Sequence, residues 1–187
     1  VCSSDLETLR LGRLVNDVRT LSLAEAGQLP LDRQPVDMSA LVAQAAAAFQ
    51  PLAEADGIQL RLNLAPTPPL SADASRLHQV LANLIANALR YAPQGSHRPP
   101  CVTIRIASEV DSVIVSVSDT GPGLTHDQQA QVFDRFWRSD AARSREQGGS
   151  GLGLAIARGI VEAHGGTIGV RSEAGQGTEF WFRLKTG

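Results

Sequence analysis

Apolar positions recur at helical spacing first in Leu11, Leu14, Val15, Val18 and Leu21, which follow Ser4-Asp5-x-Glu7 and predict a helix to about Leu23. Gly27 and Pro30 stop it. A helix of this length cannot cover its own stripe, so it reads as half of a helical hairpin or bundle. The other arrangement open to it is to fold back on the rest of the chain. Asp32–Val36 reads as a short edge strand limited by Pro35, and Asp37 or Ser39 caps a helix over about 40–55 that ends at Gly57. Pro51 is expected to kink or divide that helix. Ile58, Leu60, Leu62 and Leu64 alternate with Gln59, Arg61 and Asn63, a half-buried strand, and Pro66, Pro68 and Pro69 form the next loop.

Over about 73–91 the pattern is helical again, with Leu77, Val80, Leu81, Leu84, Ile85 and Ala88 on one face. Two strands in hairpin relation follow, Cys101–Ala107 and Ser112–Ser118, then a short helix over Gln128–Phe136. Leu152, Ala155, Ile156, Ile160 and Ala163 predict a helix ended by Gly165. Thr167–Arg171 and Thr178–Leu184 make a last hairpin turned by 173–177.

Composition narrows the class. The chain has 187 residues, 43% of them hydrophobic, enough for one compact core with a small appendage. A net charge of −2 gives no global field to recruit nucleic acid or an anionic membrane, and 4% aromatics argue against a base-stacking surface. Cys2 and Cys101 have no metal or redox spacing and read as free thiols of a reducing compartment. No apolar run reaches the ~18 residues of a membrane span, and no signal peptide is visible. The start at Val1, without Met, is read as that of a fragment.

The candidate chemistry lies in three places. Gly148-Gly149-Ser150-Gly151-Leu152-Gly153-Leu154 feeds straight into a helix, aiming unpaired N–H groups at one point, as a phosphate site requires. A glycine-rich turn before an ordinary buried helix has the same composition. Neither the P-loop nor the dinucleotide fingerprint matches, because no Gly-Lys-Ser/Thr run exists and the glycines follow a polar stretch rather than a strand. On the 73–91 helix, Asn83, Asn87 and Arg90 sit at i, i+4 and i+7, with Tyr91 beside them. Asn costs roughly 0.6 kcal/mol against Ala in a helix interior, so two of them one turn apart call for a reason. A carboxamide oxygen can ligate Mg²⁺ and Arg90 can meet phosphate, although chance placement stays open. Asp119 ends a strand before Thr120-Gly121-Pro122-Gly123, which suits a pocket floor that takes an amino group, or a plain turn. Between Trp137-Arg138 and the glycines, Ser139–Gln147 is polar without period and reads as a mobile lid.

Taken together, four ordered blocks resemble the catalytic, ATP-binding domain of sensor histidine kinases, within the histidine-kinase-like ATPases. They are the N box Arg76–Tyr91, a first glycine box Asp119–Leu124, an F box Val132–Arg138 and a second glycine box Gly149–Leu154. The leading helix with Leu21–Gly27 is similar to the second helix of the dimerisation and phosphotransfer hairpin. The resemblance implies an α+β fold, a two-layer α/β sandwich with a mixed sheet covered by helices on one face and preceded by one amphipathic helix. It places residues 1–30 in the partial hairpin and linker and 31–187 in the ATP-binding domain.

By the same resemblance the ligands are ATP and Mg²⁺. Asn87 ligates the metal, and Asn83 helps to hold the phosphates or the metal. Arg90 stands at a phosphate-contacting position that is often Lys, and Tyr91 lies near ribose or phosphate. Asp119 binds the adenine amino group, with Gly121, Gly123 and Leu124 about it and Phe133 in the F box. Gly149, Ser150, Gly151, Leu152, Gly153 and Leu154 bind the phosphates, and Arg138 makes contact from the lid side. Implied partners are the kinase's own dimerisation domain, in a homodimer, and a response regulator. The implied setting is the cytoplasmic side of a membrane-anchored parent.

None of His78, His97, His126 or His164 has the acidic residue and Pro of a phosphoacceptor motif, so the acceptor is expected upstream and the fragment is expected to bind ATP without phosphorylating itself. Hydrolysing relatives place a glutamate one turn before the metal-binding Asn; here that residue is Asn83, which is no base and so favours transfer over hydrolysis. The alternative is a hydrolysing or nucleotide-binding regulatory module of the same fold.

Overall fold

In the computed structural model, residues 3–94, 99–138 and 150–186 are described. The elements in chain order are α1 (Ser3–Glu25), β1 (Gln34–Val36), α2 (Met38–Ala55), β2 (Gln59–Leu64), β3 (Leu70–Ala72), α3 (Ala74–Tyr91), β4 (Cys101–Ser108), β5 (Ser112–Asp119), α4 (His126–Gln131), α5 (Gly153–Ala163), β6 (Thr167–Glu173) and β7 (Gly177–Lys185). Among the described residues the strands form a main sheet in the order β2-β4-β5-β7-β6 and a small β1-β3 ribbon. Only β2 pairs in parallel with its neighbour, so the main sheet is mixed.

Alternation within the strands builds the core. Ile104 stands opposite Val117 and Val117 opposite Phe180, while Ile106, Val115 and Phe182 make the next row. All six are buried, and they meet the apolar face of α3, where Leu77, Val80, Leu81, Leu84 and Ile85 are fully enclosed. Helices α2, α3 and α5 lie on this one side of the sheet. The architecture is the two-layer α+β sandwich expected.

Three expectations are corrected. Pro51 does not divide α2, which runs continuously through it. The prolines at 66, 68 and 69 do not lead directly to a helix: Leu70–Ala72 intervenes as a strand, with Val36 opposite Leu70. The 128–136 helix is shorter and earlier, at His126–Gln131, because Thr125 and Gln128 cap each other reciprocally at its start. It cannot reach Phe136, whose φ of 60° is outside the helical region and whose N–H donates to Gly151 O at 3.0 Å.

Of the two arrangements open to α1, its end takes the second among the described residues: it folds back on α5, burying Leu21 and bringing Ala24 against Gly159. Glu25 forms an ion pair with Arg135, and Arg76 Nη1 donates to Thr20 Oγ1 at 3.5 Å. Leu11, Leu14, Val15 and Val18 stay exposed.

Candidate functional site

The cleft between α3 and the N-terminal end of α5 is where the candidate residues meet. Asp73 caps α3 by accepting from Arg76 N at 3.0 Å, which fixes where the helix starts and hence which residues face the cleft. With Leu77, Leu81, Leu84 and Ala88 turned into the core, the helical period leaves Asn83, Asn87 and Arg90 on the open side. The cleft is lined by these three together with Tyr91, Arg138, Ser150, Gly151, Gly153 and Leu154. Asp17, Ala86, Val132 and Trp137 complete it. Nine sequence-predicted residues are therefore brought to one place.

Asn83 Nδ2 donates to Gly153 O at 2.9 Å, joining the middle of α3 to the first turn of α5. Its nitrogen is thereby committed, and Oδ1 is the group that remains to accept from or ligate something else. Asn87 has no side-chain hydrogen bond among the described residues. No side chain caps α5, so the N–H groups of its first turn are left to the cleft. Gly151 has φ +73°, and a Cβ there would come within 2.8 Å of the Phe136 backbone, so only glycine lets the chain turn this closely. Ser150 Oγ accepts from Leu152 N at 3.3 Å, which takes that amide out of the free set.

Gly121 does not line this cleft, and neither does Asp119. It continues the inward alternation Val113, Val115, Val117, so a carboxylate occupies a core-facing position and is only 6% exposed. Gly121 N donates to its Oδ1 at 2.8 Å. Burial outweighs that bond and one from the Thr178 backbone, pushing the Asp119 carboxyl up to about 6. Gly121 lies between Asp119 and Tyr91: a Cβ there would sit 2.7 Å from Asp119 Oδ1 and 2.7 Å from Tyr91 O. A side chain at 121 would therefore clash with both the Asp119 carboxylate and the Tyr91 backbone.

Other predicted residues lie elsewhere. Gly123, at φ +72°, faces the Glu173 carbonyl rather than a cavity, and Leu124 N donates to Ser172 Oγ at 2.8 Å. Phe133 packs edge-on against Phe180 with ring centroids 5.9 Å apart, and Leu152 is buried in the core. Gly149 and the 139–147 lid stretch are outside the described residues. Sequence reasoning missed Asp17 and the Thr178 backbone. Asp17 could have been found as the acid one turn before Leu21, but the strand register that brings Thr178 to Asp119 has no local signal.

A carboxamide pair, two arginines and an uncapped helix start suit an anionic ligand with a hard cation, and a buried acceptor beside them suits a base with an amino group. Among the described residues no group of three His, Cys, Asp or Glu could form a metal cage, so a cation here would take carboxamide and ligand oxygens. No helix of the described residues is long and apolar enough to cross a membrane.

Comparison with known proteins follows the same lines. Residues 72–187 match the family model described as "Histidine kinase-, DNA gyrase B-, and HSP90-like ATPase". The chain is 39% identical over 182 residues to the sensor protein IrlS of Burkholderia pseudomallei, covering 97% of this chain and 38% of that protein. It is 44% identical over 179 residues to the probable sensor histidine kinase TcrY of Mycobacterium tuberculosis, covering 95% and 36%. The chain thus spans a little over a third of each of these relatives. Among solved structures, full-length ShkA in complex with AMPPNP superposes with a TM-score of 0.82 at 36% identity, covering 95% of this chain and 36% of that one. The histidine kinase AdeS of Acinetobacter baumannii gives 0.79 at 28% identity, covering 98% and 83%.

Proposed function

Because the chain belongs to the family of histidine kinase-, DNA gyrase B- and HSP90-like ATPases, we propose that it is the catalytic part of a two-component sensor kinase that transfers the γ-phosphoryl group of Mg-ATP to a histidine. That histidine belongs to a dimerisation hairpin, within a homodimer, and the phosphoryl group passes on to an aspartate of a response regulator. Residues 1–30 are the end of that hairpin with its linker, and 31–187 form the ATP-binding domain. The observation that carries the reading is the convergence of Asn83, Asn87 and Arg90 on α3 with Gly151, Gly153 and Arg138 about one cleft.

The positions support one role for each residue. Asp119 accepts the adenine amino group from its buried site, and Gly121 keeps the floor thin enough for that approach. Tyr91 borders the ribose. Arg90 and Arg138 supply positive charge at the phosphate end, and the free amides at the start of α5 bind phosphate oxygens. Asn87 offers its carboxamide oxygen to Mg²⁺, and the Asn83 oxygen supports the metal or the phosphates. When bound, Mg²⁺ neutralises phosphate charge during transfer. These residues position and neutralise; none activates a water, because Asn83 stands where hydrolysing relatives have a glutamate.

The test has two stages. The chain is expected to bind Mg-ATP at equilibrium, Asp119→Asn to bind it much more weakly, and steady-state hydrolysis to be very slow. Supplied with a dimerisation hairpin and labelled ATP, the chain should label a histidine in trans, and Asn87→Ala should not. Brisk hydrolysis, or equal labelling by Asn87→Ala, would overturn the assignment in favour of a hydrolysing or regulatory module.

A further inference from the structure

Asp17, Leu21 and Ala24 lie at i, i+4 and i+7 on α1 and form the face that meets the rest of the chain. Leu21 is 5% exposed and Ala24 stands so close to Gly159 that a Cβ on the glycine would be 2.8 Å from its methyl carbon. Asp17 is half-buried on that same docked face, where another apolar residue would pack better. It lines the cleft together with Arg90 and Arg138, and among the described residues it is the only acid that does so.

We propose that Asp17 is a determinant of nucleotide affinity: with α1 docked, its carboxylate shares the phosphate end of the cleft and opposes the entry of phosphate groups. The inference rests on the cleft being the ATP site. A carboxylate fixed beside a triphosphate in a partly enclosed cleft repels it far more strongly than it would in bulk water, and it shares that lining with the arginines the phosphates need. Docking of α1 and binding of nucleotide are therefore antagonistic. Because coupling is reciprocal, nucleotide must loosen α1 by as much as docked α1 weakens nucleotide. The contacts that hold the end of α1, Leu21 in its pocket and Glu25 on Arg135, become part of the control of nucleotide binding.

The experiment measures displacement of a fluorescent ATP analogue by ATP, ADP and adenosine from the chain and from Asp17→Asn, with and without Mg²⁺. ATP and ADP are expected to compete roughly three- to tenfold better on the variant, and adenosine equally on both. Hydrogen exchange on the unsubstituted chain should show faster exchange over Leu21–Glu25 once Mg-ATP is added. Unchanged or weaker ATP binding by the variant, an equal gain for adenosine, or slower exchange in α1 would each overturn the proposal. If neither chain binds ATP, the nucleotide reading itself fails and takes this inference with it.

Discussion

The side-chain nitrogen of Asn83 donates to the main-chain oxygen of Gly153 at 2.9 Å, so the helix carrying the carboxamides is tied directly to the helix that follows the glycine turn. The two walls of the cleft are thereby tied together by one of the residues that also lines it. A group with this double role makes structure and binding inseparable at that point.

Asn83→Ala is expected to lower both properties. Loss of one half-buried hydrogen bond is worth about 1 kcal/mol of stability, read as a lower urea midpoint with an unchanged slope. Nucleotide affinity should fall by more than that shift explains, because the variant also loses an oxygen facing the cleft. Unchanged affinity for Mg-ATP would show that the residue serves only to join the helices.

Asp119 makes a prediction with a definite sign. Its carboxyl is raised by burial from 3.8 to about 6 in the folded chain. The folded state therefore carries no penalty from this group below about pH 3.8, and loses stability as pH rises through about 6. Asp119→Asn removes an acid that must be ionised in a buried place, and should raise stability by about 1–3 kcal/mol at pH 7.5. The gain should shrink steadily toward pH 4. A gain independent of pH would contradict the assignment. Nucleotide affinity of the unsubstituted chain should also fall below about pH 6, where protonation removes the acceptor.

His164 runs the other way. Its Nε2 accepts from Asp73 N at 3.1 Å and its Nδ1 lies 2.8 Å from Ile160 O, which fits a neutral ring with the proton on Nδ1. Burial holds its pKa below the ordinary 6.5, assisted by the charge of Arg33 and opposed by the Ile160 carbonyl and Asp73. Stability from this group is fully present above pH 6.5 and is lost as pH falls through the folded value. His164→Gln should flatten that part of the pH profile, and an NMR titration should place the ring below 6.5. A ring that titrates above 6.5 would refute the pairing with Asp73.

Much of the site was legible because it is built from local repeats. Asn83, Asn87 and Arg90 share a side of α3 on the 3.6-residue period alone, and the glycine spacing before α5 requires a close turn wherever the chain puts it. Asp119 showed itself as an acid at a strand's end before a glycine turn, while its burial appears only in the fold. The short elements were not legible: β3 has three residues and α4 six, too few for a period to stand out from composition.

The helices and strands long enough to show a period, the cleft-facing groups on α3 and the glycines of the turn into α5 could all be read from the chain before it folds. These follow from geometry within one element. Folding alone puts Gly121 between Asp119 and Tyr91, brings Thr178 to that same carboxylate, takes Phe136 out of the helical region to hold Gly151, and turns α1 back with Asp17 at the cleft. Those are contacts between residues far apart in the chain, fixed by strand register and by how helices share one sheet, and no local spacing encodes them.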